Sequence, residues 1–157
     1  MIQIKAYSNE YYEQVSRLCI SQEQEQFAGT AKDFLETAKQ GMHQKIIFHN
    51  NLLIGVFNID TIYSQNYSFA GTNSLGLRAL FIDESHQGKG YGVLSMLALK
   101  SYLQTEYTDY QTLYLTVNCR NPAARNCYLK ANFIDNGELY YGGAAGPQHI
   151  MYLRLKI

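Results

Sequence analysis

Several features that announce a function in other chains are scarce or missing here, and each absence excludes something. The three cysteines, Cys19, Cys119 and Cys127, are odd in number and lack the spacing of metal ligands, so neither a disulfide framework nor a zinc site is expected. Thirteen Lys and Arg balance thirteen Asp and Glu, and a net charge of zero gives no support for a nucleic-acid surface. No apolar run approaches the roughly 20 residues that span a bilayer. The first residues turn polar and acidic from Ser8 onward and contain no signal-peptide core. No repeat, low-complexity tract or composition shift divides the chain. Residues 1–157, 46% hydrophobic, are therefore expected to form a single domain with a sizeable core, soluble and cytoplasmic, with no metal, nucleic-acid or membrane partner.

What is present concentrates in two stretches. In the first, the apolar run Leu75–Ile82 leads through Asp83-Glu84-Ser85-His86 into Gln87-Gly88-Lys89-Gly90-Tyr91-Gly92, and a helix is expected from Val93 to about Tyr107. A glycine loop that opens a helix presents unpaired N–H groups at the positive end of a helix dipole, which is chemistry suited to phosphate. A Walker loop needs Lys followed by Ser or Thr, but Gly90 follows Lys89. A dinucleotide loop needs G-x-G-x-x-G, whereas Gly88, Gly90 and Gly92 give G-x-G-x-G. The template that Gln87, Gly90 and Gly92 do satisfy is Gln/Arg-x-x-Gly-x-Gly/Ala.

The second stretch begins with the alternating, β-rich Leu113–Val117 and passes to Asn121-Pro122, a strong helix start with an N-cap and a proline at the first helical position. From Asn121 to Phe133 the chain reads N-x-x-A-x-x-x-Y-x-K-x-N-F. Together, in this order, the two stretches resemble the coenzyme A loop and the following helix motif of the GNAT superfamily of N-acetyltransferases, matched at Asn121, Ala124, Tyr128, Lys130 and Phe133. The departure is Asn132, where that family usually has glycine. The position closes a helix, and asparagine is the next most tolerant residue of a left-handed backbone.

The resemblance covers nearly the whole chain and implies an α+β fold: a mixed, mostly antiparallel sheet of about seven strands flanked by about four helices. The expected order is a strand at Ile2–Ala6, helices near Glu10–Cys19 and Ala31–Gln40, and a hairpin of Lys45–His49 and Leu52–Asp60 turning at Asn50-Asn51. The Tyr63–Ser74 stretch reads as a long polar connection. A final strand pair is expected near Glu138–Tyr141 and His149–Lys156, with a turn at Tyr140–Pro147 that closes over the acceptor. The alternation in the last strand points to a homodimer, because relatives often pair through it.

The resemblance also implies acetyl-CoA as cosubstrate and a small-molecule amine as acceptor. Backbone groups of Leu80, Phe81 and Ile82 would pair with the pantetheine arm, and Gln87, Gly88, Lys89, Gly90, Tyr91 and Gly92 would hold the pyrophosphate. Asn121, Ala124 and Lys130 would contribute further contacts, although an N-cap asparagine and an exposed lysine each have a purely structural alternative. Tyr128 matches the tyrosine that donates to the leaving thiolate, and its alternative is a ring packed on the sheet.

The general base is open among a water chain, Glu84, Glu23 and His149, since Arg78, the polar residue of the preceding strand, cannot act as a base at neutral pH. The acceptor is open too. Glu23 and Glu25, in Ser21–Phe27, would suit the distal ammonium of a polyamine, as in the bacterial diamine or spermine/spermidine enzymes that this segment resembles. Arg78 in the acceptor site would instead suit an amino acid or another anionic amine. Acetylation of a peptide amine and non-catalytic acyl-CoA sensing remain as alternatives.

Overall fold

The computed structural model of the protein describes residues 1–36 and 39–156. Seven strands form one sheet: β1 (Ile2–Ala6), β2 (Met42–His49), β3 (Leu52–Asp60), β4 (Ser74–Ile82), β5 (Thr112–Asn118), β6 (Ile134–Tyr140) and β7 (Gln148–Arg154). Their spatial order is β1-β2-β3-β4-β5-β7-β6, and every pair is antiparallel except β4–β5. The expected mixed seven-stranded sheet is what forms. The β2–β3 hairpin turns where the sequence placed it, with Asn50 and Asn51 both left-handed at φ 49° and 70°. β7 lies inside the sheet between β5 and β6, so the strand expected to mediate dimerisation is not an edge.

Helices cover both faces. On one face, α5 (Tyr91–Glu106) buries Met96, Leu99 and Leu103 in a core shared with Ile47, Phe57 and Leu113, and α6 (Pro122–Lys130) packs beside it. On the other, α1 (Tyr12–Ser16) and α3 (Ala31–Glu36) bury Val15 and Phe34 against Ile46, Val56 and Phe81.

The first helices differ from expectation. A 3-10 turn at Asn9–Tyr11 precedes a short α1, and residues 37–38 of the helix expected over Ala31–Gln40 lie outside the described residues. Between them stands a separate α2 (Gln22–Ala28), set off by a reciprocal capping box of Ser21 and Gln24. The supposed polar connection after β3 contains α4 (Tyr63–Asn66), which drives Tyr63 into the sheet at 1% exposure. Gly76 makes this fit: a Cβ there would lie 1.9 Å from the Tyr63 ring. Polar neighbours hid an aromatic anchor.

Two irregularities in β4 create the site. Its pairing with β5 covers only Ser74–Gly76 against Thr112–Tyr114, so the strands diverge from Leu77 onward. The register against β3 also shifts, with Arg78 opposite Asn58, Phe81 opposite Val56, and both Ala79 and Leu80 facing Phe57. Ala79 takes φ 55° in this bulge, a left-handed conformation that an alanine tolerates poorly.

Candidate active site

Where β4 and β5 part, two cavities open and meet. The loop cavity, about 340 Å³, is walled by the end of β4, the glycine turn and the first turns of α5 and α6. The gap cavity, about 350 Å³, lies between the diverging strands. Phe27, Ala28, Leu80, Asn121, Ala124 and Tyr128 line both.

One wall of the loop cavity is the glycine turn. Gly88 and Gly90 have φ 75° and 84°, and a Cβ at either would meet no other atom within 4 Å, so conformation rather than space selects glycine there. Gly92 has a different reason: its Cβ would stand 3.1 Å from Cys127 Sγ, where α5 and α6 pack closely. Gly90 caps α5 without any side-chain hydrogen bond, leaving the first helical N–H groups free to face an anion. Gln87 braces the turn, its amide donating to Ile82 O at 2.7 Å and pairing with the Gln24 amide at 3.1 Å. His86, not anticipated from sequence, also lines this cavity, with Nδ1 3.0 Å from Ser85 Oγ. Ser85 Oγ in turn donates to Asp83. Asp83 is held below the usual carboxylate range, since hydrogen bonds from Ser85 and the Cys19 N–H outweigh its burial.

Tyr128 sits at the junction because of how α6 ends. Phe133 N–H donates to Tyr128 O at 3.0 Å and Asn132 N–H to Leu129 O at 3.1 Å, the bond pair of a Schellman cap, with Asn132 left-handed at φ 73°. The Phe133 ring packs 5.4 Å from the Tyr128 ring and is itself buried. The N-F pair of the motif thus fixes the tyrosine. Burial, reinforced by the neighbouring Cys127, pushes the Tyr128 phenol above the usual tyrosine range, and its hydroxyl has no hydrogen-bond partner among the described residues. At the other end of α6, Asn121 Oδ1 accepts from Ala124 N–H at 3.4 Å, so this residue is an N-cap and a wall of both cavities at once.

The gap cavity is built from side chains. Tyr63 and Tyr67 stack at 4.3 Å, Tyr67 contacts the Tyr140 ring, and Arg78 lies over both stacked tyrosines. Opposite them, Asn118 Nδ2 and Arg120 Nη2 both donate to Ala145 O, holding the β6–β7 turn against the cavity. The Arg120 guanidinium also rests 6.0 Å from the Phe27 ring of α2. Sequence reasoning missed Tyr63, Tyr67, Asn118 and Gln148. Their separation along the chain gives no motif.

The remaining expected residues divide by position. Leu80, Phe81, Ile82, Gln87, Gly88, Gly90, Tyr91 and Gly92 line the loop cavity, and Arg78 lines the gap cavity. Lys89 and Lys130 are exposed and stand outside both walls. Glu23 and Glu25 are exposed on α2, while Gln24, Gln26 and Phe27 turn to the cavities. Glu84 is exposed in a 3-10 turn, where its N–H bonds Cys19 O. His149 points to the opposite side of β7 from the cavity-lining Gln148, with Nδ1 3.6 Å from Asp135. Among the described residues, no group of three or more His, Cys, Asp or Glu is gathered to hold a metal, and no helix is long and apolar enough to cross a membrane.

The family described as Acetyltransferase (GNAT) family matches residues 4–133. The chain belongs to that family. Its GNAT relatives include an uncharacterized N-acetyltransferase, YbbJ, of Bacillus subtilis (strain 168), 25% identical over 96% of both chains. The spermine/spermidine N(1)-acetyltransferase of the same organism is 29% identical over 90% of this chain and 93% of its own. Among solved structures, aminoglycoside acetyltransferase AAC(6')-Ib in complex with coenzyme A and kanamycin superposes with TM-score 0.74 at 19% identity, covering 98% of this chain and 95% of the other. Spermidine N-acetyltransferase from Vibrio cholerae, in complex with CoA and spermine, gives 0.72 at 17% identity with the same coverage. These two structural likenesses establish the GNAT fold.

Proposed function

We propose that the protein transfers an acetyl group from acetyl-CoA to the primary amine of a small molecule by direct attack within a ternary complex. The observation that carries this reading is the meeting of the two cavities at Tyr128. The loop cavity offers phosphate a helix N-terminus and a glycine turn, and an extended cofactor arm has the unpaired stretch of β4 to run along. The thioester would then lie at the junction, with the acceptor reaching it from the gap cavity.

The amine lone pair attacks the thioester carbonyl, the tetrahedral intermediate expels the CoA thiolate, and the amine loses a proton to solvent. Tyr128, matching the tyrosine that assists the leaving thiolate in the family, faces the departing sulfur as a hydrogen-bond donor. Because burial raises its phenol above about 10 while a thiol lies near about 8.5, full proton transfer would be uphill; the hydroxyl acts by donating a hydrogen bond to the developing thiolate. Among the described residues no carboxylate or imidazole lines the gap cavity, so the acceptor enters as the free amine and needs no side-chain base.

The test is release of CoA thiol from acetyl-CoA across a panel of primary amines. Tyr128→Phe is expected to lower kcat by roughly a hundredfold while keeping acetyl-CoA affinity. Full turnover in that variant would remove Tyr128 from the mechanism. Tight acetyl-CoA binding without turnover of any amine, lysine peptides included, would favour the sensor reading.

A further inference from the structure

We propose that the gap cavity selects an amine that also carries an anionic group, a carboxylate or a phosphate, and that Arg78 recognises it. The inference rests on the acetyl-transfer reading and names its acceptor class.

Arg78 is the only formally charged side chain on the described wall of this cavity. It is held in place from behind. Nε donates to Asp60 Oδ2 at 3.1 Å, Nη2 donates to the Tyr67 hydroxyl at 2.5 Å, and the guanidinium lies 5.6 and 5.2 Å from the Tyr63 and Tyr67 ring centres. These contacts fix its plane and leave Nη1 without a protein partner among the described residues. The Arg78 side chain is 35% exposed and that of Asp60 4%, so the cation faces the cavity and the carboxylate stands behind it. A planar, pre-positioned guanidinium end with unused donors suits the two oxygens of a carboxylate or phosphate.

The same geometry argues against a second ammonium. Asp60 is 4% exposed, stands off the cavity wall, and both its oxygens already accept, Oδ1 from Ile62 N–H at 3.0 Å and Oδ2 from Arg78. The tyrosine faces that would attract a cation are already stacked on each other and covered by the guanidinium. Glu23 and Glu25 stand outside the wall.

The experiment compares acceptors that share a primary amine and differ at the far end: γ-aminobutyrate, its amide, butylamine, putrescine and phosphoethanolamine. An anionic acceptor is expected to exceed butylamine in kcat/KM by roughly tenfold or more. The better of γ-aminobutyrate and phosphoethanolamine assigns the anion as carboxylate or phosphate. In Arg78→Gln the ratio of anionic to neutral acceptor should fall toward one through KM, and Arg78→Lys should restore part of it. Thermal melting and acetyl-CoA affinity report whether each variant is folded. Putrescine preferred over γ-aminobutyrate, or an anion preference that survives in folded Arg78→Gln, would overturn the proposal. If no amine releases thiol, the acetyl-transfer reading fails, and calorimetry of γ-aminobutyrate against butylamine on the CoA-loaded protein decides the acceptor class separately. Tighter anion binding that Arg78→Gln abolishes supports the inference, and equal binding overturns it.

Discussion

In the loop cavity the groups suited to phosphate are main-chain N–H groups, set among apolar side chains by two left-handed glycines and one uncapped helix start. In the gap cavity they are side chains that converge from α2, α4, β4, β5 and the turn before β7. The first arrangement offers any pyrophosphate the same donors whatever the neighbouring side chains, so it suits a cosubstrate common to many reactions. The second can be re-specified by changing one ring or one charge, as acceptor choice requires. Tyr128, belonging to both, is where the constant half meets the variable half.

The largest effect should come from breaking the junction. Phe133→Ala removes a buried ring and the contact that fixes Tyr128, and should cost about 3–5 kcal/mol in chemical unfolding. Any folded fraction should bind acetyl-CoA yet turn over slowly. Gly90→Val attacks the main-chain half: a β-branched residue at φ 84° should cost about 1–2 kcal/mol and weaken acetyl-CoA binding, while the ranking of acceptors stays as it was. Equal damage to acceptor ranking would mean that the two cavities are not separable.

A pH profile sharpens the side-chain half. With solvent as base, only the free amine reacts, so kcat/KM should rise about tenfold per pH unit below the amine pKa, near about 10 for an alkylamine. Since the Tyr128 phenol is raised, it keeps its proton throughout that window and should produce no falling limb below about pH 10. A plateau starting near neutrality would reveal a side-chain base instead. The smallest effect is expected from Lys89→Ala, which should change acetyl-CoA affinity by less than about 0.5 kcal/mol, because the side chain is exposed and off the wall.

The same division governs what the sequence could disclose. Main-chain features leave local marks: glycine spacing located the turn, Asn50-Asn51 the hairpin, and Asn132 the left-handed cap, because each is dictated by φ within a few residues. Side-chain convergence leaves none. Tyr63 reaches its place only because a distant Gly76 is bare, and nothing near Tyr63 records that. His149 could not be assigned a side from its neighbours. In a strand the face alternates at every residue, and the register that turns Gln148 inward and His149 toward Asp135 is set by pairing with β5 and β6. Glu23 and Glu25 suffered the same ambiguity on a helix whose existence depended on a cap at Ser21.

The parting of β4 and β5 has a consequence beyond ligand entry. Unpaired strand edges at the rim of a sheet invite other chains to add on, a common start of aggregation. Here the unpaired edges face each other inside a wedge walled by α2, α6 and the turn that Arg120 holds. A segment thin and extended enough to slip between them is admitted, whereas the flank of another folded molecule is kept out.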